Sequence, residues 1–167
     1  MKNLYLIGIM GCGKTTLGKM LAAKLGCAFC DLDDEIELQE QKTISQIFAQ
    51  SGEETFRTIE TEVLRNVARR TQCIVSCGGG IVLRSENKKI MQESGRIVWI
   101  KRPVAEIARS VDTAKRPLLK NGADALYDIY HKREALYEDF AQEILENTTT
   151  AAAGLESLEN LLTKRLK

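Results

Sequence analysis

Apolar residues in this chain come in short blocks, and helix-spaced patterns fill the intervals between them. Leu4-Tyr5-Leu6-Ile7 forms the first block, which extends back to a strand over Asn3–Ile7. Further strands are predicted at Ala28–Asp31, Cys73–Cys77, Ile97–Ile100 and Glu143–Leu145. A helical pattern, Leu17 to Leu25, follows the first strand. Thr43-x-x-Gln46 and Ser51-x-x-Glu54 have capping-box spacing. The first opens a short helix through Phe48. The second opens a longer one, with Phe56, Ile59, Val63, Leu64 and Val67 at helical spacing. Gly95 stands where a helix ahead of the fourth strand would close, and Pro103 suits the first turn of a helix running to about Val111. Asp112–Gly122 reads as a polar loop, followed by a long helix over about Ala123–Ala141. Thr148–Ala153 is loop-like in composition, and Leu155, Leu158, Leu161 and Leu162 mark a final amphipathic helix. Strands alternating with helices predict an α/β fold, a mostly parallel sheet with helices on both faces.

Composition narrows this picture modestly. At 167 residues with 44% hydrophobic and 28% charged content, the chain is expected to form one domain, 1–167, with a sizeable core. A formal net charge of +1 favours neither a nucleic-acid partner nor a membrane surface. The apolar run at the N-terminus is too short for a signal peptide, and no apolar stretch reaches the length of a spanning helix. A cytoplasmic protein is therefore expected, and, with neither a heptad seam nor a long unpaired apolar segment evident, a monomer.

Chemistry enters with Gly8-Ile9-Met10-Gly11-Cys12-Gly13-Lys14-Thr15-Thr16. This is a G-x-x-x-x-G-K-[ST] phosphate-binding loop between a strand and a helix. Its glycines let backbone N–H groups curl around phosphate at a helix N-terminus. Lys14 is expected to reach the β- and γ-phosphates, and the Thr15 hydroxyl to ligate Mg²⁺. Cys12 is expected to be an accessible thiol. The ligand class is therefore a nucleotide polyphosphate.

Asp31-Leu32-Asp33 closes the second strand. Ligands of open parallel sheets bind beyond the carboxyl ends of strands. Period-two alternation puts Asp31 and Asp33 on one side if the chain is still extended there. One carboxylate would then serve Mg²⁺ through water, and the other would take a proton from a substrate hydroxyl. The competing role is a helix N-cap with Asp34 and Glu35 in the first turn. Gly78-Gly79-Gly80 follows the third strand directly and permits close backbone approach to a ligand. Arg57, Arg109, Arg116 and Arg133 are candidates for fixing a transferred phosphoryl group and an anionic acceptor. Cys27-x-x-Cys30 and the pair Cys73 and Cys77 read as small apolar fillers in buried strands rather than redox or zinc ligands. His131 has no partner evident in the sequence.

Taken together, these residues resemble the shikimate kinase family over nearly the whole chain. The resemblance rests on the phosphate loop through Gly18, then Phe29-x-Asp31-x-Asp33 with Ile36-Glu37. It continues through Ile44-x-x-Ile47-Phe48, Gly52-Glu53-x-x-Phe56-Arg57-x-x-Glu60 and Ser76-x-Gly78-Gly79-Gly80. Arg116-Pro117-Leu118-Leu119 and Arg133 ahead of Leu136-Tyr137 complete it. It implies a P-loop kinase fold of the nucleoside-monophosphate-kinase-like type, three layers around a five-stranded parallel sheet in order 2-3-1-4-5, with a mobile lid at about 112–122 and an acceptor region at about 32–62. It implies transfer of the ATP γ-phosphoryl group to the 3-hydroxyl of shikimate. In that scheme Asp33 is the base or orienting group, and Arg57, Arg133 and the Gly79 N–H hold the carboxylate, with Gly78 and Gly80 flanking. Gly11, Cys12, Gly13, Lys14, Thr15 and Thr16 cradle ATP, Arg109 packs on adenine, and Arg116 bridges to the transferred phosphoryl. Mg²⁺ is assigned to Thr15 and Asp31, and Phe48 and Phe56 wall the acceptor pocket. The chain departs from the family pattern at Ala135, where proline is usual, and at Leu145-Glu146-Asn147-Thr148; distal adenine contacts are expected near Thr150. A kinase for another polyol acid, such as gluconate, and a catalytically silent nucleotide-binding module are the competing readings.

Overall fold

Five parallel strands stand in the order β2-β3-β1-β4-β5. In this computed structural model, residues 2–110 and 123–163 are described. The expected lid and Arg116 therefore lie outside the described residues. The strands are β1 (Asn3–Ile7), β2 (Ala28–Asp31), β3 (Cys73–Ser76), β4 (Gly95–Lys101) and β5 (Glu143–Glu146). The helices are α1 (Lys14–Leu25), α2 (Leu32–Glu40), α3 (Ile44–Ala68), α4 (Ser85–Ser94), α5 (Val104–Ser110), α6 (Ala123–Phe140) and α7 (Ala151–Thr163), with a short 3₁₀ turn at Ile81–Leu83.

Every residue of β1 and β3 is buried, as expected for central strands covered on both faces. The edge strands β2 and β5 are partly exposed. Leu6 and Asp31 both register with Ser76, so the carboxyl ends of β1, β2 and β3 lie side by side. β1 pairs with β3 on one side and β4 on the other. The chain thus leaves β1 at the point where the connections diverge, and a crevice opens there. Trp99 and Tyr137 stack with ring centroids 5.7 Å apart, fixing α6 to β4. Buried Asn3 anchors the far end of the sheet: its side chain donates to Arg70 O at 2.8 Å and accepts from Cys73 N at 3.1 Å.

The first capping box forms: Thr43 and Gln46 exchange side-chain-to-backbone hydrogen bonds. At the second, helix continues through to Ala68 with one break at Gly52, at φ 77°. A left-handed residue interrupts the spiral there, and glycine accepts that conformation without penalty. Gly95 closes α4 through its N–H to Met91 O and at once begins β4. The loop-like Thr148–Ala153 segment turns helical at Ala151. The cysteines are free; Cys30, Cys73 and Cys77 are buried and Cys27 half-buried, the apolar role expected of them. His131 is exposed.

Candidate active site

The phosphate loop begins as β1 ends. Gly13 precedes α1 at φ 108°, a conformation that side-chain-bearing residues rarely adopt. No side chain caps α1 and its first turn holds no acid, so its free N–H groups remain available to an anion. Lys14 is buried, its ammonium donating to Gly8 O at 2.8 Å and Ile9 O at 2.9 Å. Cys12 is fully buried, with Sγ 3.7 Å from Lys14 Nζ. The expected accessible thiol is therefore corrected: the loop folds its one thiol inward against Gly8, away from the cavity lined by Lys14, Thr15 and Thr16.

Thr15 Oγ1 donates to Asp31 Oδ2 at 2.9 Å and lies 3.1 Å from Ser76 Oγ. Three hard oxygens of this kind suit Mg²⁺, which takes a few protein oxygens and shares the rest with phosphate and water. No local sequence signal marks Ser76 as a ligand; its place at the end of β3, in register with Asp31, is what brings it there. Among the described residues no group of three His, Cys, Asp or Glu side chains could hold a metal by itself.

Asp31 is also the N-cap of α2, its Oδ1 accepting from Asp33 N at 3.1 Å. This corrects the alternation argument. The chain is already helical at Asp33, and helical winding carries its carboxylate into the same cavity as Asp31. That cavity, about 300 Å³, is lined by Met10, Lys14, Thr15, Asp33, Gly78 and Arg102 among others. Burial, and then the nearby Asp31 carboxylate, push the Asp33 pKa up to about 6. Lys14 and Arg57 act in the opposite sense.

Beyond Asp33 stands a buried ion pair. Arg57 Nη1 donates to Glu60 Oε2 at 2.7 Å, and Nη2 to Glu53 Oε1 at 3.2 Å. The guanidinium lies 4.9 Å from the Phe56 ring centroid, and Phe48 packs on Phe56 at 4.6 Å. Aromatic faces on one side and a carboxylate on another hold the arginine in place. Glu60 Oε1 is buried with no hydrogen-bond partner among the described residues. Burial pushes its pKa up to about 7, opposed by Arg57. Glu60 was legible only as part of a motif; its position one helical turn after Arg57 is the signal for its role.

The triple glycine closes the site by leaving room. A Cβ on Gly80 would overlap the Arg57 guanidinium, and one on Gly78 would lie 2.7 Å from Asp33 Oδ1. Tyr137 Oη donates to Gly79 O at 2.6 Å, tying α6 to the turn. Arg133, on the same helix and half-buried, acts electrostatically on both Glu60 and Tyr137. Arg57, Asp33, Arg133 and the glycines thus come together beside the phosphate loop. Arg109 is exposed in the last turn of α5, outside the cavity lining. Thr16 lines the cavity, and Thr150 is exposed just ahead of α7.

The shikimate kinase family model matches residues 10–164. The chain belongs to the shikimate kinase family. It is 35% identical to a shikimate kinase of Clostridium botulinum over 97% of this chain and 98% of that one. It is 40% identical to one from Clostridium beijerinckii, covering 88% and 87%. A solved shikimate kinase from Acinetobacter baumannii, in complex with shikimate, superposes with a TM-score of 0.92 at 35% identity, covering 100% of this chain and 96% of its own. This family chain is accordingly an ATP-dependent kinase, and its sheet has the expected 2-3-1-4-5 order.

Proposed function

We propose that this chain, working as one domain over 1–167, uses its cavity to transfer the ATP γ-phosphoryl group to the 3-hydroxyl of shikimate, giving 3-phosphoshikimate and ADP. The observation that carries the reading is Asp33 placed between the phosphate loop and the Arg57–Glu60 pair. Phosphoryl transfer asks a protein mainly for positioning and for charge where charge develops.

The amides of Gly11 to Thr16 and the Lys14 ammonium hold the polyphosphate. Thr15 and Asp31 would hold Mg²⁺, which would supply positive charge against the phosphates. Asp33, its pKa pushed up to about 6 chiefly by burial, accepts or orients the proton of the attacking hydroxyl. Arg57 and Arg133 pair with the ring carboxylate, which arginine recognises in a planar, bidentate way. The Gly79 N–H supports that carboxylate, and Phe48 and Phe56 wall the ring. Arg109 packs on adenine. Arg116, which lies outside the described residues, is assigned to the transferred phosphoryl, where a fixed cation would answer developing charge. None of the helices among the described residues is long and apolar enough to cross a membrane. We assign the protein to the cytoplasm as a monomer.

The test is ADP release from Mg·ATP with shikimate, without acceptor, and with gluconate. Release that depends on shikimate is the expected result. Acceptor-independent release, or turnover of gluconate and not shikimate, overturns the proposal.

A further inference from the structure

Arg102 belongs to none of the motifs described above, yet it lines the phosphate cavity together with Lys14, Thr15 and Thr16. It is the residue after β4, at the carboxyl edge of the sheet beside β1. Pro103 follows it, and a residue before proline is held toward extended backbone. The side chain therefore leaves the sheet from a fixed point. Its Nη1 lies 3.5 Å from Gly11 O, within the phosphate loop. Its Nε lies 3.5 Å from Glu106 Oε2, one turn along α5.

Both contacts sit at the long limit of a hydrogen bond, where such bonds are weak. The Lys14 ammonium, by contrast, is committed to two carbonyls at short distance. The cavity also carries the carboxylates of Asp31 and Asp33. A polyphosphate entering it adds negative charge to a wall that already holds some. Among the described residues of the lining, Arg102 is the cation besides Lys14 that can answer it. Its side chain is 28% exposed, enough to turn without opening the core. It gives up little when a phosphate oxygen offers charge-assisted, two-pronged pairing.

We infer that Arg102 binds the polyphosphate of the nucleotide, as a second cation across the loop from Lys14. The inference rests on the nucleotide site proposed above. The plainer role, a half-buried i,i+4 pair with Glu106 steadying α5, predicts a small change in stability and none in nucleotide affinity.

The experiment compares wild type, Arg102→Ala and Arg102→Lys. It measures KM for Mg·ATP and for the acceptor, and the affinity for ADP and for adenosine by calorimetry. Arg102→Ala should raise the ATP KM and weaken ADP about tenfold, the scale of one charged hydrogen bond. The acceptor KM and adenosine affinity should hold, and Arg102→Lys should recover part of the loss. Unchanged ATP KM and ADP affinity in Arg102→Ala overturns the inference. So does an equal loss for adenosine and ADP, which would place Arg102 on the nucleoside. ADP binding is read without any acceptor, so it decides on Arg102 even if shikimate proves not to be the substrate.

Discussion

Asn147 donates from Nδ2 to the carbonyl of Cys12 at 2.8 Å, clamping the phosphate loop to the corner between β5 and α7. Both residues are buried, and 135 positions separate them in the chain. Asn147 fits only because its neighbours are small: a Cβ on Gly13 would lie 2.6 Å from its Nδ2, and one on Gly154 2.9 Å from its Oδ1. Its own N–H donates to Lys101 O at 2.7 Å, so the clamp is braced by the sheet.

Replacing Asn147 by alanine should therefore loosen the loop from behind. The orphaned Cys12 carbonyl costs about 1–3 kcal/mol, the usual penalty for an unpaired buried acceptor. In a chain of this size each kcal/mol lowers Tm by about 2–4 °C. The ATP KM should rise while the acceptor KM holds. Thermal melts and two-substrate kinetics check this; an unchanged ATP KM would leave the clamp a purely structural feature.

Asp33 sets function against stability. Its folded pKa, about 6, lies above the ordinary carboxylate value of 3.8, chiefly through burial and then through Asp31. The folded state thus binds more protons than the unfolded one between those values, and stability falls as pH rises through about 6. Asp33→Asn removes that ionisation. Its Tm should exceed that of wild type at pH 8, with the advantage fading as pH falls below 6 towards 3.8. Turnover should drop by about 10²–10⁴-fold, the range for a lost general base. In wild type, turnover should decline as pH falls through about 6. Melts across pH, paired with pH–rate profiles, read both effects.

Gly80 should behave as a remote handle on Arg57. A methyl there collides with the guanidinium, the far end of a flexible side chain, rather than with backbone. The chain should fold, with the arginine displaced from Glu60. Gly80→Ala is expected to raise the acceptor KM about as much as Arg57→Ala does, by roughly tenfold or more for a lost charged contact. The ATP KM should stay near wild type. Normal acceptor kinetics in Gly80→Ala would mean that Arg57 has no part in binding.

Tyr137→Phe deletes one hydroxyl from an otherwise apolar, stacked ring. The Gly79 carbonyl loses its partner, and α6, with Arg133, loses its tie to the glycine turn. Stability should fall by about 1–3 kcal/mol, as for other buried acceptors left unpaired. The acceptor KM should rise more than the ATP KM. Denaturant melts with kinetics for both substrates would separate the two effects.

What the sequence determined by itself was local. Alternating apolar blocks located the strands, because a central strand must be apolar on both faces. The phosphate loop was legible because its glycines, Lys14 and Thr15 are contiguous, and one turn of backbone builds the whole anion nest. Thr43 and Gln46 announced their cap for the same reason. Identifying the acceptor took a series of motifs recognised as a family pattern. Tertiary structure decided the rest. The register of β2 on β3 set Ser76 beside Thr15, and the start of α2 wound Asp33 into the cavity. Packing turned Cys12 inward, left one Glu60 oxygen unpaired among the described residues, and brought Asn147 and Arg102 to the loop from distant parts of the chain. Contacts of that kind depend on which strand ends lie side by side, and a linear pattern of residues does not encode that distance.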